Sequence, residues 1–242
     1  MNHASGPRRR ELLLVNPNTD SRVTMAMGAI ARDALVDLSG EDRFEIITRT
    51  VHRGVSLITN ELALSEAAQA LIESLNDLHI ADLAGVIIGA FGDPALAEIR
   101  AATSIPVTGL AEASMAKAAV SIDPGAHFAV VTTTPALADS IVASAWRYGH
   151  ADCFAGVELT PGDPATLMAD AEALEEAMYA ACVRAIQKRG ASALVIGGGP
   201  LAQVARALAP RLSVPVIEPI PEAVRLAVQR ALVAQPPQEA RE

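Results

Sequence analysis

The sequence predicts an α/β protein of two pseudo-symmetric lobes. Each is a mostly parallel sheet flanked by helices, and the site is expected in the cleft between them. Three observations carry this reading. Short runs rich in Val, Ile and Leu alternate with helical patterns along the chain, as a mostly parallel sheet requires. Hydrophobic residues make up 51% of the chain but aromatic ones only 3%, so the core must be built from Ala, Val, Leu and Ile. The chain also writes one unit twice. Val86-Ile87-Ile88-Gly89-Ala90 matches Leu194-Val195-Ile196-Gly197-Gly198. Each then runs through a helical pattern into a Pro-Val strand, Ser104-Ile105-Pro106-Val107 and Ser213-Val214-Pro215-Val216. The starts match too, Leu13-Leu14-Val15-Asn16-Pro17-Asn18-Thr19 against Ala129-Val130-Val131-Thr132-Thr133-Thr134-Pro135.

Taken in order, the β-branched and Leu-rich runs predict strands over 11–16, 43–49, 84–89, 106–109, 128–133, 152–159, 192–197 and 215–218. Helical patterns fill the intervals 20–38, 61–77, 93–102, 111–120, 135–148, 164–189, 200–210 and 220–234. The longest of these ends in Gln187-Lys188-Arg189-Gly190, basic residues and then Gly, as a helix C-terminus prefers. Asp123-Pro124-Gly125 is a turn signal and the expected boundary between repeats. The expected domains are a tail over 1–10, a first lobe over 11–122 whose last helix is free to cross over, a second lobe over 123–234, and a tail over 235–242.

Charge and composition narrow the partners. A net charge of −9 argues against nucleic acid, which needs clustered Lys and Arg, and against an anionic membrane surface. The apolar runs are short and broken, so no transmembrane helix is expected. The opening Met1–Arg10 has basic residues but no long apolar stretch, and reads as a frayed tail rather than a secretory signal. A cytoplasmic protein is the simplest expectation. Cys153 and Cys182 offer no disulfide framework or metal spacing, and read as small structural hydrophobes. The five His are scattered without ligand spacing, and neither a metal nor a cofactor is expected.

Ligands of open α/β sheets bind beyond the carboxyl ends of strands, near helix N-termini. Asn16 and Asn18 put two amides at one tip, where Asn18 or Thr19 also suits a helix cap. Thr132, Thr133 and Thr134 put three hydroxyls at the equivalent tip of the second half, a plausible carboxylate cradle beside a helix start. Asp93, Glu112 and Glu218 read as helix-start charges rather than catalytic acids. Gly197-Gly198-Gly199-Pro200-Leu201-Ala202 satisfies G-x-G-x-x-A after a strand, with Glu218 at the end of the next. A dinucleotide-dependent enzyme is therefore one alternative. Its repeat partner, Gly89–Pro94, lacks the pattern, and the unit lies late in the chain.

Five segments in order resemble the hydantoin racemase branch of the aspartate/glutamate racemase superfamily. They are Asn16-Pro17-Asn18-Thr19, Ala90-Phe91-Gly92-Asp93-Pro94, Val130-Val131-Thr132-Thr133, Val195-Ile196-Gly197-Gly198-Gly199 and Pro215-Val216-Ile217-Glu218. The resemblance implies a small carboxylate or cyclic ureide bound between the lobes, contacted by Asn16, Asn18, Ala90, Phe91, Thr132, Thr133, Gly198 and Gly199. It also implies a homo-oligomer. In the family two cysteines racemise the substrate, a thiolate taking a proton from one face while a thiol returns one to the other. By the same resemblance, Ala90 and Gly198 stand in those two slots. The expectation is a diverged isomerase, decarboxylase or lyase. The alternative is a catalytically inactive ligand-binding relative.

Overall fold

The computed structural model describes residues 9–38, 43–76, 78, 80–198 and 201–234. Eight strands form two four-stranded parallel sheets. The first holds β1 (Arg10–Asn16), β2 (Phe44–Thr50), β3 (Gly85–Ile88) and β4 (Val107–Gly109) in the order β2-β1-β3-β4. The second holds β5 (His127–Thr132), β6 (Phe154–Leu159), β7 (Ala191–Ile196) and β8 (Val216–Ile217) in the order β6-β5-β7-β8. The two orders are the same order, so the repeat in the sequence is a repeat in the fold. In register, Leu13 lies opposite Val86, and Ala129 opposite Leu194.

Strand side chains alternate between faces, and both faces of each sheet are buried. Leu12, Leu14, Ile46 and Ile87 supply one face of the first sheet, while Leu13, Val15, Val86 and Ile88 supply the other. In the second sheet Ala129, Val131, Leu194 and Ile196 face one way, and Phe128, Val130, Ala193 and Val195 the other. These unbroken apolar runs leave no polar side for solvent, which is why helices must cover both faces.

The helices are α1 (Ser21–Val36), α2 (Glu61–Asn76), α3 (Leu96–Ala102), α4 (Leu110–Val120), α5 (Ala138–Arg147), α6 (Pro164–Ala169), α7 (Ala171–Arg189), α8 (Ala202–Leu208) and α9 (Pro219–Val233). α2 and α3 cover one face of the first sheet, and α7 and α8 cover one face of the second. The other faces are covered by exchange. α9, the last helix of the second repeat, packs beside α1 on the first sheet through Ile220, Val224, Ala227 and Ala231. α4, the last helix of the first repeat, packs with α5 on the second sheet through Ala111, Met115 and Ala118. Glu112 of α4 accepts from Nη1 and Nη2 of Arg230 on α9, each at 2.8 Å, joining the two exchanged helices.

Two expected helices differ in extent. The single helix over 164–189 is two, α6 and α7. Asp170 breaks it with extended backbone (φ −130, ψ 106), and its carboxylate caps α7 by accepting from the Glu172 and Ala173 amides at 3.1 Å. The helix expected from 93 begins only at Leu96, because Asp93 (φ 52) and Ala95 (φ 57) are left-handed. Residues 1–8 and 235–242 of the expected tails, and Gly199, lie outside the described residues, while Arg10, expected in the first tail, begins β1.

Candidate functional site

The carboxyl ends of β1, β3, β5 and β7 all lead toward one cavity between the sheets. Its volume is about 120 Å³. An engineered cavity of roughly 150 Å³ lined by apolar side chains holds benzene, so this one is on the scale of a single small ring.

The β1 tip is built by a closed polar network. Asn16 is fully buried. Its amide nitrogen donates to Asn18 Oδ1 at 2.9 Å, Thr24 Oγ1 at 2.9 Å and the Asp20 carbonyl at 3.1 Å, and its Oδ1 accepts from the Asn18 amide at 3.1 Å. Asn16 therefore holds the tip, and it is not among the described residues lining the cavity. Asn18 does line it. Its Oδ1 is occupied by Asn16 and by the Asp20 amide at 3.0 Å. Because the Asp20 amide can only donate, Oδ1 must face it, and the Asn18 NH₂ is left as the donor group available to a ligand. The cap of α1 is neither Asn18 nor Thr19 but Asp20, whose carboxylate accepts from the Arg22 amide at 2.9 Å.

Thr132, Thr133 and Thr134 of the β5 tip line the cavity opposite. Thr134 begins a short 3₁₀ turn over Pro135–Leu137 without a side-chain cap bond. β3 and β7 end in equivalent glycines. The Gly89 amide donates to Val15 O at 2.8 Å and the Gly197 amide to Val131 O at 2.9 Å. A β-carbon on Gly89 would meet Val15 O at 2.8 Å, and one on Gly197 would meet Val130 Cγ1 at 2.9 Å and Phe91 Cε1 at 3.2 Å. Each glycine is thus fixed by close approach. The next residues, Ala90 and Gly198, both line the cavity, as does Phe91, whose ring belongs to the second sheet's core. Gly198 has φ +145, and a β-carbon there would meet Leu201 Cδ1 at 3.1 Å.

Apart from Val23 of α1 and Leu201, the rest of the wall comes from segments the sequence reading did not single out. Leu57, Ile58 and Thr59 follow β2, and Pro164, Ala165 and Met168 follow β6, its counterpart. Leu137 and Ile141 come from the start of α5. The repeat makes the loops after β2 and β6 equivalent to each other, but only the facing of the two sheets brings both over the cavity.

No Asp, Glu, His, Lys, Arg, Tyr or Cys is among the described residues lining this cavity. Cys182 is buried on α7 within the second core, where burial pushes its thiol up to about 12. Cys153 is half-buried ahead of β6, and burial raises its thiol also. The three acids near the tips are engaged elsewhere. Asp93 caps α4 rather than its own helix, accepting from the Ala111 and Glu112 amides at 2.9 and 2.8 Å. Glu112 accepts from Arg100 at 2.7 Å and Arg230 at 2.8 Å. Burial opposes its ionisation, but the two guanidinium groups hold its carboxyl below the usual range. Glu218 accepts from Arg206 Nε at 2.9 Å in a separate cleft. Among the described residues no group of three or more His, Cys, Asp or Glu could hold a metal, and no helix is long and apolar enough to cross a membrane.

Two like-ordered parallel sheets with a cavity at their facing strand tips define a pseudo-symmetric racemase-type α/β protein. The chain belongs to the Asp/Glu/Hydantoin racemase family, whose model matches residues 12–227. It is 27% identical over 217 residues to a hydantoin racemase of Paenarthrobacter aurescens, covering 89% of each chain. Its structure is similar to that of an allantoin racemase from Klebsiella pneumoniae, with a TM-score of 0.82, 26% identity and 96% of each chain covered. It also resembles an allantoin racemase from Pseudomonas fluorescens, with a TM-score of 0.85 at 22% identity, over 96% of this chain and 94% of that one.

Proposed function

We propose that the chain binds a small cyclic ureide in the cavity between its sheets and does not carry out two-thiol racemisation. One observation carries this reading: the described cavity wall has hydrogen-bonding groups but no ionisable side chain. A carboxylate buried there would meet no cation to offset its desolvation. A neutral ureide has carbonyl oxygens for the Asn18 NH₂ and N–H groups for the threonine oxygens, and loses far less on leaving water. The names of the similar proteins, hydantoin and allantoin racemases, support the same ligand class.

The absent acid–base pair restricts the chemistry. With Ala90 and Gly198 in the two proton-transfer slots, no side chain at either face can take a proton from the ligand. The site suits a step that starts with departure of a leaving group from the ureide together with its bonding electron pair, as in a lyase, with water supplying the proton that the leaving group takes up. Binding without turnover is the second reading, and the same empty wall favours it.

Titration calorimetry with hydantoin, allantoin and L-glutamate tests the ligand class. Binding of either ureide, weakened about tenfold by Asn18→Ala through loss of one buried hydrogen bond, is the expected result. Preference for glutamate, or ureide binding indifferent to Asn18, would overturn it.

A further inference from the structure

The segment that carries Ala90 into the cavity is held from outside it. Gly92 (φ +112), Asp93 (φ 52) and Ala95 (φ 57) crowd three left-handed residues into one turn between β3 and α3. A non-glycine residue keeps such backbone only where its surroundings over-determine it, and such residues cluster at functional sites. Here the determinant is visible. Asp93 is buried. Its backbone amide donates to Ala90 O at 3.2 Å, tying it to the slot three residues earlier. Its Oδ1 accepts from the Ala111 amide at 2.9 Å. Its Oδ2 accepts from the Glu112 amide at 2.8 Å and from the Tyr148 hydroxyl at 2.7 Å. Gly109 has no side chain where any β-carbon would overlap this carboxylate.

Asp93 stands at the tip of the first sheet, while its partners belong to helices that cover the second: α4, and the residue that ends α5. Phe91, two residues earlier, inserts its ring into that second core beside Gly197. The turn is thus pinned at two points, one apolar in the second core and one hydrogen-bonded to the start of α4 and the end of α5. Between them it fixes how far Ala90 stands from Gly198. We propose that Asp93 is a positioning residue for the cavity, a latch whose carboxylate sets where the β3 tip projects into the cleft between the lobes. This rests on that cavity being the ligand site, but the latch itself can be read without a ligand.

The test is carried out in an Ala90→Cys background, where the introduced thiol reports the position of the tip. Its alkylation rate by iodoacetamide is followed peptide by peptide, with the native half-buried Cys153 as internal reference. Adding Asp93→Asn puts an NH₂ group against donors that the carboxylate accepted from. The expected result is alkylation at position 90 faster by about tenfold or more, with Cys153 unchanged. Tyr148→Phe removes one bond and leaves the carboxylate in its backbone seat, so it carries the test should the Asn variant not fold. It is expected to speed alkylation at position 90 in the same direction by a smaller factor. An unchanged rate at position 90, or equal acceleration of both thiols, would overturn the latch. Neither result depends on whether hydantoin binds, so the latch and the ligand reading fail separately.

Discussion

Ala90 and Gly198 occupy equivalent places in the repeat, yet their backbones differ in what they admit. Ala90 already carries a β-carbon into the cavity, so Ala90→Cys adds one atom toward open space and should cost less than about 1 kcal/mol in chemical denaturation. Gly198 has φ +145, and its missing side chain would run into Leu201. Gly198→Cys should therefore destabilise by about 1–3 kcal/mol, from left-handed strain and overpacking together. Equal costs at the two positions would contradict this. Asp93 gives a second residue-level prediction. Burial is the largest influence and pushes its carboxyl from 3.8 up to about 6, against the pull of Tyr148 and the Ala111 and Glu112 amides. The native state then holds this proton more tightly than the unfolded chain does. The side chain's contribution to stability is full below about pH 3.8 and lost as pH rises through about 6. The stability difference between wild type and Asp93→Asn should fall across that window, and a rise would contradict the sign.

At the scale of elements, Asp170 separates α6 from α7 and caps the latter, so Asp170→Ala should cost about 1 kcal/mol. Native-state hydrogen exchange should rise first at residues 172 and 173, whose amides it accepts from. Exchange unchanged there would contradict the cap. The break also shows where the sequence was silent. Met168-Ala169-Asp170-Ala171 contains no Gly or Pro, and helical periodicity runs through it. Only the cap's hydrogen bonds distinguish two helices from one. The strands were legible because both faces are buried, leaving continuous Val, Ile and Leu runs bounded by turns. Among the residues lining the cavity, the strand-tip positions Asn18, Ala90, Phe91, Thr132, Thr133 and Gly198 were legible from the order of strands and tips. Asn16 was not separable from Asn18, since its amide is saturated by Thr24, a partner on α1 that only the fold brings near. Leu57, Ile58 and Met168 were not legible either, because which loops close over a cleft depends on how two sheets face each other.

At the scale of the molecule, the two repeats exchange their last helices, α4 to the second sheet and α9 to the first. Neither sheet can keep its core covered alone. Arg230 is the polar tie across this exchange, donating to Glu112, to Val107 O at 3.0 Å and to Thr108 Oγ1 at 3.2 Å. Removing it leaves the Glu112 carboxylate with Arg100 as its remaining ion-pair partner, so Arg230→Ala should cost about 2 kcal/mol in a single cooperative transition. Two separate transitions would contradict the interlocked lobes. The exchange also places the strand tips of both sheets around one cavity, which is where the fold and the functional reading meet. That reading is most directly tested by incubating one enantiomer of a 5-substituted hydantoin with the protein in D₂O, following optical rotation and deuterium at the ring carbon. The account predicts no loss of rotation and no exchange above the buffer rate, while the same compound binds by calorimetry. Racemisation accompanied by protein-dependent deuterium incorporation would contradict it.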